Sequence, residues 1–306
     1  MGAFLIRRGV RFLIILFLAS IAVFYALRFA PGDPTAGVLS PLAMEEAREA
    51  YKERLGLNRP IHEQYFTYLG NMSRGDLGIS MVTGKPIDEL LRVYGRNSLI
   101  LGLTAFAITY LIGIPLGVMA AAKKDTFLDQ AASGIGILGM GMPNYWLALL
   151  LILIFSVKLH WLPTSGCCTP KHLILPAVVL ASEGIAVTLR MTRSSMLDQM
   201  ASDYVRTHRA KGLQEKTIIG NRVFRNAMIP IISLSGLRIG WLIGYSLIVE
   251  TIFAWPGLGY LLVDSILRRD YPVAQFFSLV LVTAVVFGNF LADLAYGLVD
   301  PRIRYA

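Results

Sequence analysis

The chain of 306 residues is poor in charge and has very little cysteine or histidine. Only 16% of its residues are charged, whereas a soluble domain would carry about 25%. Hydrophobic residues make up 55% of the sequence. This balance excludes an ordinary soluble domain and predicts an all-α integral membrane protein with several spans.

The two cysteines, Cys167 and Cys168, are adjacent, and none of the four histidines lies at metal-ligand spacing from them. This spacing excludes a framework of disulfides across the chain and predicts no zinc site. Whether the two cysteines bond to each other stays open. We expect no metal and no other cofactor bound by this chain.

Nucleotide-binding and catalytic motifs are incomplete. Gly84-Lys85 resembles the end of a phosphate loop, but Gly78 is one residue too far away and Pro86 replaces the magnesium-holding Ser or Thr. His62-Glu63 lacks the second histidine of a zinc protease, and no Gly-x-Ser-x-Gly motif occurs. We therefore expect neither ATP binding nor enzymatic activity from the chain itself.

Six apolar runs are long enough to cross a bilayer, for which about 20 residues suffice. They are Phe12–Ala30, Leu99–Ala122, Gln130–Val157, Leu173–Met191, Pro230–Ile252 and Phe276–Leu298. The first run follows three arginines and has no cleavage site, so we interpret it as an uncleaved helix that ends at the break Pro31-Gly32-Asp33-Pro34. Gly134, Gly136 and Gly139 formally match a dinucleotide fingerprint, but they lie inside an apolar run and indicate close helix packing instead.

The distribution of basic residues predicts the orientation. With the amino terminus inside, short inner segments carry fifteen lysines and arginines and short outer loops carry four. The sequence therefore predicts both termini in the cytoplasm and four segments. These are a tail and first span (1–30), an extracytoplasmic region (31–97), a five-helix core (98–299) and a cytoplasmic tail (300–306).

A polar stretch over 196–229 interrupts the core. It has six basic residues against three acidic ones, so it cannot cross a bilayer. Residues Asp203 to Lys211 contain no proline or glycine, which favours a short helix, and Gly212 is a natural stop. Pro230 is predicted to begin the next helix.

The same stretch resembles a known family. Asp-Tyr-Val-Arg-Thr-His-Arg-Ala-Lys-Gly (203–212) followed by Arg225-Asn-Ala-Met-Ile-Pro230 is similar to the coupling loop of ABC importer permeases of the dipeptide, oligopeptide and nickel group. Further similar segments occur in family order, and the resemblance covers essentially the whole chain. They are Pro31–Pro34, Pro143–Trp146, Trp161–Gly166, Phe253–Gly259, Arg269–Val273 and Asp300–Arg302.

The resemblance implies a type I permease fold with six transmembrane helices and a cytoplasmic coupling helix, in the inner membrane. It also implies a second homologous permease, two ATP-binding subunits that use ATP and magnesium, and an extracytoplasmic substrate-binding protein. The residues expected to couple the chain to the ATPase are Asp203, Tyr204, Val205, Arg206, Arg209, Ala210, Lys211 and Gly212. We interpret Tyr204, Val205 and the cations as the docking surface.

Charged residues inside spans are costly and should face protein or a water-filled path. Glu183 and Arg238 are the candidates for the translocation path, and a structural pair or a snorkelling arginine is the alternative reading. Small-residue stripes at Gly113 and Gly117, and at Gly236, Gly240 and Gly244, predict close helix packing within the chain or against a partner permease.

The sequence leaves the cargo open. A peptide-like solute is favoured, and nickel or a metallophore is the alternative. An ion channel or secondary transporter is a further hypothesis, in which Glu183 and Arg238 would act without ATP. An intramembrane enzyme would need a catalytic pair that the spans do not offer.

Overall fold

The computed structural model describes residues 2–29, 44–54, 56–167 and 169–299. Within these ranges the chain is helical, and its only strand-like pairing is an isolated bridge between Ile79 and Pro86. This confirms the all-α prediction. The helices are α1 (Gly2–Phe29), α2 (Glu45–Arg54), α3 (Ile61–Ser73), α4 (Ile87–Ala122), α5 (Phe127–Gly141), α6 (Asn144–Leu151), α7 (Pro170–Met200), α8 (Asp203–Ala210), α9 (Glu215–Thr217), α10 (Phe224–Ile252), α11 (Leu258–Leu267) and α12 (Tyr271–Val299). Two π-helical segments, Ile152–Lys158 and Ile218–Val223, continue α6 and precede α10.

Four helical stretches in the described ranges are long and apolar enough to cross a membrane. They are Arg7–Phe29, Ile87–Ala122, Pro170–Met200 and Tyr271–Phe290, and a bent pair raises the number to five. The predicted count of six is therefore approximate. The predicted fifth span falls on α10, a helix of 29 residues that is not among the four.

The third predicted span, Gln130–Val157, is wrong as one continuous helix. Helix α5 ends at Gly141, and Asn144–Lys158 leaves the break at an angle of 108°. Met142 has an extended backbone (φ −85°, ψ 123°) because the ring of Pro143 disfavours a helical conformation in the residue before it. Pro143 then precedes the first residue of α6.

The prediction that Pro230 begins a helix is also wrong. Pro230 lies inside α10, which starts at Phe224 and continues the π-helical segment before it. A proline inside a helix removes one backbone hydrogen bond. Nearby, the carbonyl of Ala227 accepts a hydrogen bond of 2.9 Å from the Ser195 hydroxyl of α7. This contact ties the start of α10 to the end of α7.

The chain divides into two compact units. Unit 1 comprises Met1–Leu99 and Pro256–Val286, and unit 2 comprises Ile100–Trp255 and Phe287–Ala306. The boundaries of these units differ from those of the four predicted segments. The position of each predicted segment relative to the membrane stays a prediction. The breaks at 31–34 and 300–302 lie outside the described residues.

In unit 2, α7 packs against α5, α6 and α10. Its contact with α4 depends on glycine. A Cβ atom built at Gly117 would lie 2.5 Å from Cβ of Thr192 and 2.7 Å from the carbonyl oxygen of Leu189. At Gly113 the same atom would lie 2.8 Å from Cβ of Thr188. The stripe at Gly113 and Gly117 therefore serves packing within the chain.

The other two glycine patterns differ. Gly136 and Gly139 of α5 lie against α7, where a Cβ atom at Gly139 would be 3.0 Å from Cβ of Ala186. This confirms the packing role for Gly136 and Gly139, whereas a Cβ atom at Gly134 would meet nothing within 4 Å. In the stripe on α10, a Cβ atom at Gly244 would meet nothing within 4 Å. The surroundings of Gly236 and Gly240 lie outside the described part of the structure.

In unit 1, the loop before α4 is fastened to the loop between α11 and α12. Asp270 is 3% exposed, and its carboxylate accepts hydrogen bonds from the Ser80 hydroxyl and from the backbone N–H of Met81 at 3.0 Å. The Ser80 hydroxyl in turn accepts the N–H of Thr83 at 2.9 Å. One buried carboxylate thus holds the turn that starts at Gly78 in place.

Candidate functional site: the coupling helix

Helix α8 follows directly from the long helix α7. α7 ends at Met200, and after Ala201 the backbone of Ser202 is extended (φ −76°, ψ 154°) and turns the chain into α8. The Ser202 hydroxyl donates to the carbonyl of Gln199 and makes no cap bond to α8. Because only two residues, Ala201 and Ser202, separate the ends of the two helices, α8 has little freedom to move independently of α7.

One side of α8 is anchored in an apolar cluster of unit 2. Val205 is fully buried and packs in a cluster with Met196, Ile218, Val223 and Ala227. These residues belong to α7, to the second π-helical segment and to the start of α10, so three other elements meet α8 at this cluster. The Tyr204 ring packs against the same cluster.

The Tyr204 ring is also fixed at its polar end. Its hydroxyl donates to the side-chain oxygen of Gln199 at 3.0 Å, and its ring meets that of His208 edge to face at 6.1 Å. The hydrogen bond connects α8 to the end of α7, and the ring contact lies within α8. Tyr204 therefore reinforces the anchored side of the helix.

The opposite side of α8 is exposed and polar. Asp203 and Arg206 are 97% and 80% exposed in their side chains and lie 3.8 Å apart as an ion pair. Exposed pairs of this kind contribute little to stability because water screens them. The residues of the predicted coupling set that lie on the exposed side are Asp203, Arg206, Arg209, Ala210, Lys211 and Gly212.

The carboxyl end of α8 stops at Gly212, as the sequence predicts. Gly212 has a φ of +75° and donates its N–H to the carbonyl of Arg209 at 2.9 Å, while Leu213 donates to His208 at 3.3 Å. Glycine adopts this left-handed backbone without the steric penalty of other residues. Its backbone bonds turn the chain back toward α9.

An exposed ion pair closes the same turn. The Arg209 guanidinium donates to both carboxylate oxygens of Glu215, at 2.5 and 3.4 Å. The hydrogen bond to Glu215 raises the pKa of Arg209, so this arginine stays charged. The loop after α8 is therefore linked to the helix by a side chain as well as by the backbone.

The geometry changes one interpretation of the docking surface. Val205 and Tyr204 face the chain's own core, so the exposed surface consists of the charged and small residues. A helix held by apolar contacts on one side and presenting cations on the other can transmit a displacement from a partner to α7 and α10. Sequence reasoning could not separate the two roles, since eight residues contain too few turns to define a face.

Glu183 and Arg238, the predicted path residues, both belong to unit 2. Each is half-buried, and no ion pair joins them within the described structure. The guanidinium of Arg238 lies beside Gly184, where a Cβ atom would be 3.2 Å from Nη1. Its Nε is buried and has no hydrogen-bond partner in the described ranges. The role of these two residues in the path stays a prediction.

A buried ion pair that the sequence did not reveal joins α5 to α7. Asp129 is 3% exposed, and its carboxylate accepts a bidentate pair of hydrogen bonds from Arg193, the second at 2.8 Å. The N–H of Asp125 adds a third at 3.0 Å. The two residues are 64 positions apart, and no local pattern links them.

The apolar helices define a multi-pass membrane protein, and α8 is a short helix that is anchored on one side and exposed on the other. Comparison with known proteins agrees with this class. Residues 113–305 match the binding-protein-dependent transport system inner membrane component family, and residues 1–83 match the amino-terminal region of such membrane components. The chain belongs to this family.

Curated relatives match over the whole length. The chain is 42% identical to the oligopeptide transport system permease protein AppB of Bacillus subtilis over 100% of both chains. It is 37% identical to the glutathione transport system permease protein GsiC of Escherichia coli K12 over 99% of both.

A solved structure shares the fold. The MetNI methionine ABC transporter in an inward-facing conformation matches with a TM-score of 0.58 and 19% identity, over 69% of this chain and 96% of that one. At this identity the similarity concerns the fold alone. It agrees with the prediction of a type I permease fold.

Proposed function

We propose that the chain is the permease subunit of an ATP-driven importer and forms part of the translocation pathway for short peptides or similar peptide-like solutes. Its proposed partners are a second homologous permease, two ATP-binding subunits and an extracytoplasmic substrate-binding protein. ATP and magnesium are used by the ATP-binding subunits. The relatives named for oligopeptide and glutathione transport, which match over the whole chain, support the peptide cargo.

The observation that carries the coupling role is the two-sided environment of α8. Val205 is fully buried among residues of α7 and α10, and the other side presents Arg206, Lys211 and Gly212. A short helix with that arrangement suits docking into a groove of a partner while remaining attached to the spans. The proposed coupling residues are the eight predicted from the sequence, with Val205 and Tyr204 as the inner anchor.

In the proposed mechanism, ATP binding brings the two ATP-binding subunits together and displaces the docked α8. Because only two residues separate α8 from α7, and because Val205 packs against the start of α10, both long helices move with it. Access to the pathway then switches from outside to inside. Such a switch is a rigid-body transition between two states, and ATP biases it from a remote site.

Arg238 and Glu183 remain the proposed path residues. The buried Nε of Arg238 has no partner in the described structure, so an acceptor on the cargo would satisfy it. A peptide carboxylate has that chemistry. We expect Arg238→Gln to lower the rate of uptake while the subunits still assemble, and unchanged uptake would remove Arg238 from the path.

The decisive experiment isolates the tagged chain from native membranes and identifies the proteins that accompany it by mass spectrometry. The complex is then reconstituted into liposomes with ATP on the side of the ATP-binding subunits, and uptake of a labelled tripeptide is measured with the binding protein outside. We expect a second permease, ATP-binding subunits and ATP-dependent uptake.

The same preparation distinguishes the alternatives. Uptake of labelled nickel, alone or chelated, without competition by peptides would favour the metal importer. Flux driven by an ion gradient through the chain alone, without ATP, would contradict the importer and favour a channel or carrier.

A further inference from the structure

A polar cleft of about 380 Å³ lies within unit 1, where α1 ends and the polar region begins. Its walls come from the last turn of α1, from the end of α2, from α3 and the turns on either side of it, and from the start of α12. Ligand sites in proteins begin at about 300 Å³, so the cleft has room for a small molecule. The coupling mechanism makes no use of it.

Arg28 is the central residue of the cleft, and neutral groups fix its position. Its Nε donates to the side-chain oxygen of Gln64 at 3.0 Å, and its Nη1 donates to that of Gln275 at 3.4 Å. The guanidinium also lies 4.0 Å from the centre of the Phe24 ring and 5.4 Å from that of Tyr271. Arg28 forms no ion pair with any residue in the described ranges.

A half-buried guanidinium is normally paired with a carboxylate, because taking a charge out of water is costly. Here the two bonds to glutamines use only part of the donor set of the arginine, and the remaining N–H groups keep the forked geometry that binds carboxylate or phosphate. Among the described residues, the guanidinium is therefore held in a fixed orientation without a counter-ion.

The wall behind Arg28 contains further donors. Gln275 is 2% exposed, and its Nε2 has no hydrogen-bond partner in the described structure. The Tyr68 hydroxyl lies near Gln275 but meets no acceptor with hydrogen-bond geometry. Burial raises the pKa of Tyr68 to about 12, so this hydroxyl keeps its proton and can donate it. An acceptor entering the cleft would satisfy groups that are otherwise unpaired.

The rim of the cleft has the opposite chemistry. Glu53 and Asp76 line it together with Arg59, and all three are exposed to solvent. Carboxylates at the rim disfavour a ligand that is only anionic and favour one that also carries an ammonium group. The inner arginine and the outer carboxylates together suit a small zwitterion.

We propose that this cleft binds a zwitterionic group, with its oxyanion on Arg28 and its ammonium toward Glu53 and Asp76. Two sources have this chemistry: a short peptide with free ends and the headgroup of phosphatidylethanolamine. The peptide source rests on the proposed function, whereas the oxyanion site on Arg28 does not.

The test uses the purified full chain in a non-ionic detergent, with radiolabelled trialanine as the probe in equilibrium dialysis. We expect binding that weakens about tenfold or more in Arg28→Gln, which loses a charged hydrogen-bond donor. Trialanine amide, which lacks the carboxylate, should weaken by a similar factor. Arg92→Gln is the matched control, since Arg92 belongs to the same unit, is 82% exposed and does not line the cleft.

Native mass spectrometry of the same chain, with added phosphatidylethanolamine, tests the lipid source. Lipid retained by the wild type and lost in Arg28→Gln, without trialanine binding, assigns the cleft to the headgroup. Retention of neither ligand, or equal binding by wild type and Arg28→Gln, overturns the proposal. If Arg28→Gln fails to fold, the comparison of trialanine with its amide on the wild type decides. Binding is measured without ATP or partners, so its failure is separate from a failure of ATP-driven uptake.

Discussion

Asp129 shows how a single buried carboxylate can hold two helices of this permease together. It joins α5 to Arg193 of α7 through a bidentate contact and also accepts the N–H of Asp125. Breaking a buried pair leaves the remaining charge without compensation, which costs more than the pair itself contributes.

We expect Asp129→Asn to lower the stability of the purified chain by about 1.5–3 kcal/mol, the range for hydrogen bonds to charged groups. Thermal unfolding in detergent measures the effect as a lower midpoint. The matched control is Asp125→Asn. The Asp125 side chain is 81% exposed, and its ion pair with Lys124 at 4.0 Å is a solvent-exposed contact that contributes little to stability. Equal midpoints for the two variants would mean that the contact with Arg193 does not stabilise the fold.

Gly212 acts through its backbone. Its φ of +75° strains any β-branched residue by about 1–3 kcal/mol, although a Cβ atom there would meet nothing within 4 Å. We expect Gly212→Val to displace the turn after α8 and abolish ATP-driven uptake while the chain still inserts in the membrane. Uptake by the reconstituted complex and the amount of chain in the membrane are the two measurements.

A Gly212→Asn variant distinguishes the effect of backbone strain from the effect of an added side chain. Asparagine tolerates positive φ better than valine does, so Gly212→Asn should retain much of the uptake. Normal uptake by Gly212→Val would refute the role of this turn in coupling. Loss of uptake in both variants would indicate that docking requires a residue without a side chain at this position.

At the scale of elements, the contact between α4 and α7 depends on the absence of side chains. A Cβ atom at Gly117 would lie 2.5 Å from Cβ of Thr192, so Gly117→Ala must push the two helices apart. Overpacking of this kind costs about 1–3 kcal/mol. We expect a lower thermal midpoint for the purified chain.

Gly102 is the control in the same helix, because a Cβ atom there would meet nothing within 4 Å. Gly102→Ala should be neutral or slightly stabilising, since alanine favours helix formation. A midpoint for Gly117→Ala as high as that for Gly102→Ala would show that the two helices can separate at no cost.

The elements that could be predicted from the sequence are those that local chemistry decides. The helix from Asp203 and its stop at Gly212 follow from helix propensity and from the conformational freedom of glycine. The predictions at two prolines are wrong. The sequence predicts a continuous span through Pro143, where the helix breaks, and a helix start at Pro230, where the helix continues. Pro143 follows the end of a helix and Pro230 lies within one. The outcome depends on how each helix packs, and the start of α10 is tied to α7 by the hydrogen bond from Ser195 to Ala227.

The parts of the site that could not be predicted are long-range contacts. Asp129 with Arg193 and Asp270 with Ser80 are 64 and 190 positions apart, and only the fold brings them together. The burial of Val205 has the same cause. Its anchoring cluster comes from α7, from the π-helical segment before α10 and from α10 itself.

At the scale of the whole molecule, the distribution of positive charge predicts its orientation. The short segments that would be inside carry fifteen lysines and arginines against four outside, which predicts α8 in the cytoplasm and the turn near Thr83 outside. Both Thr207 and Thr83 are exposed, so a cysteine introduced at either position is open to a reagent on its own side of the membrane.

We therefore expect Thr83→Cys to react with a membrane-impermeant maleimide in intact cells and Thr207→Cys to react only in inverted vesicles, with Cys167 and Cys168 replaced by serine. Each variant serves as the control for the other, since the same reagent must label both after detergent is added. Labelling of Thr207→Cys from outside would reverse the orientation and remove α8 from the reach of any cytoplasmic ATP-binding subunit. The coupling mechanism depends on this result, because a helix on the outer side could not respond to ATP binding inside the cell.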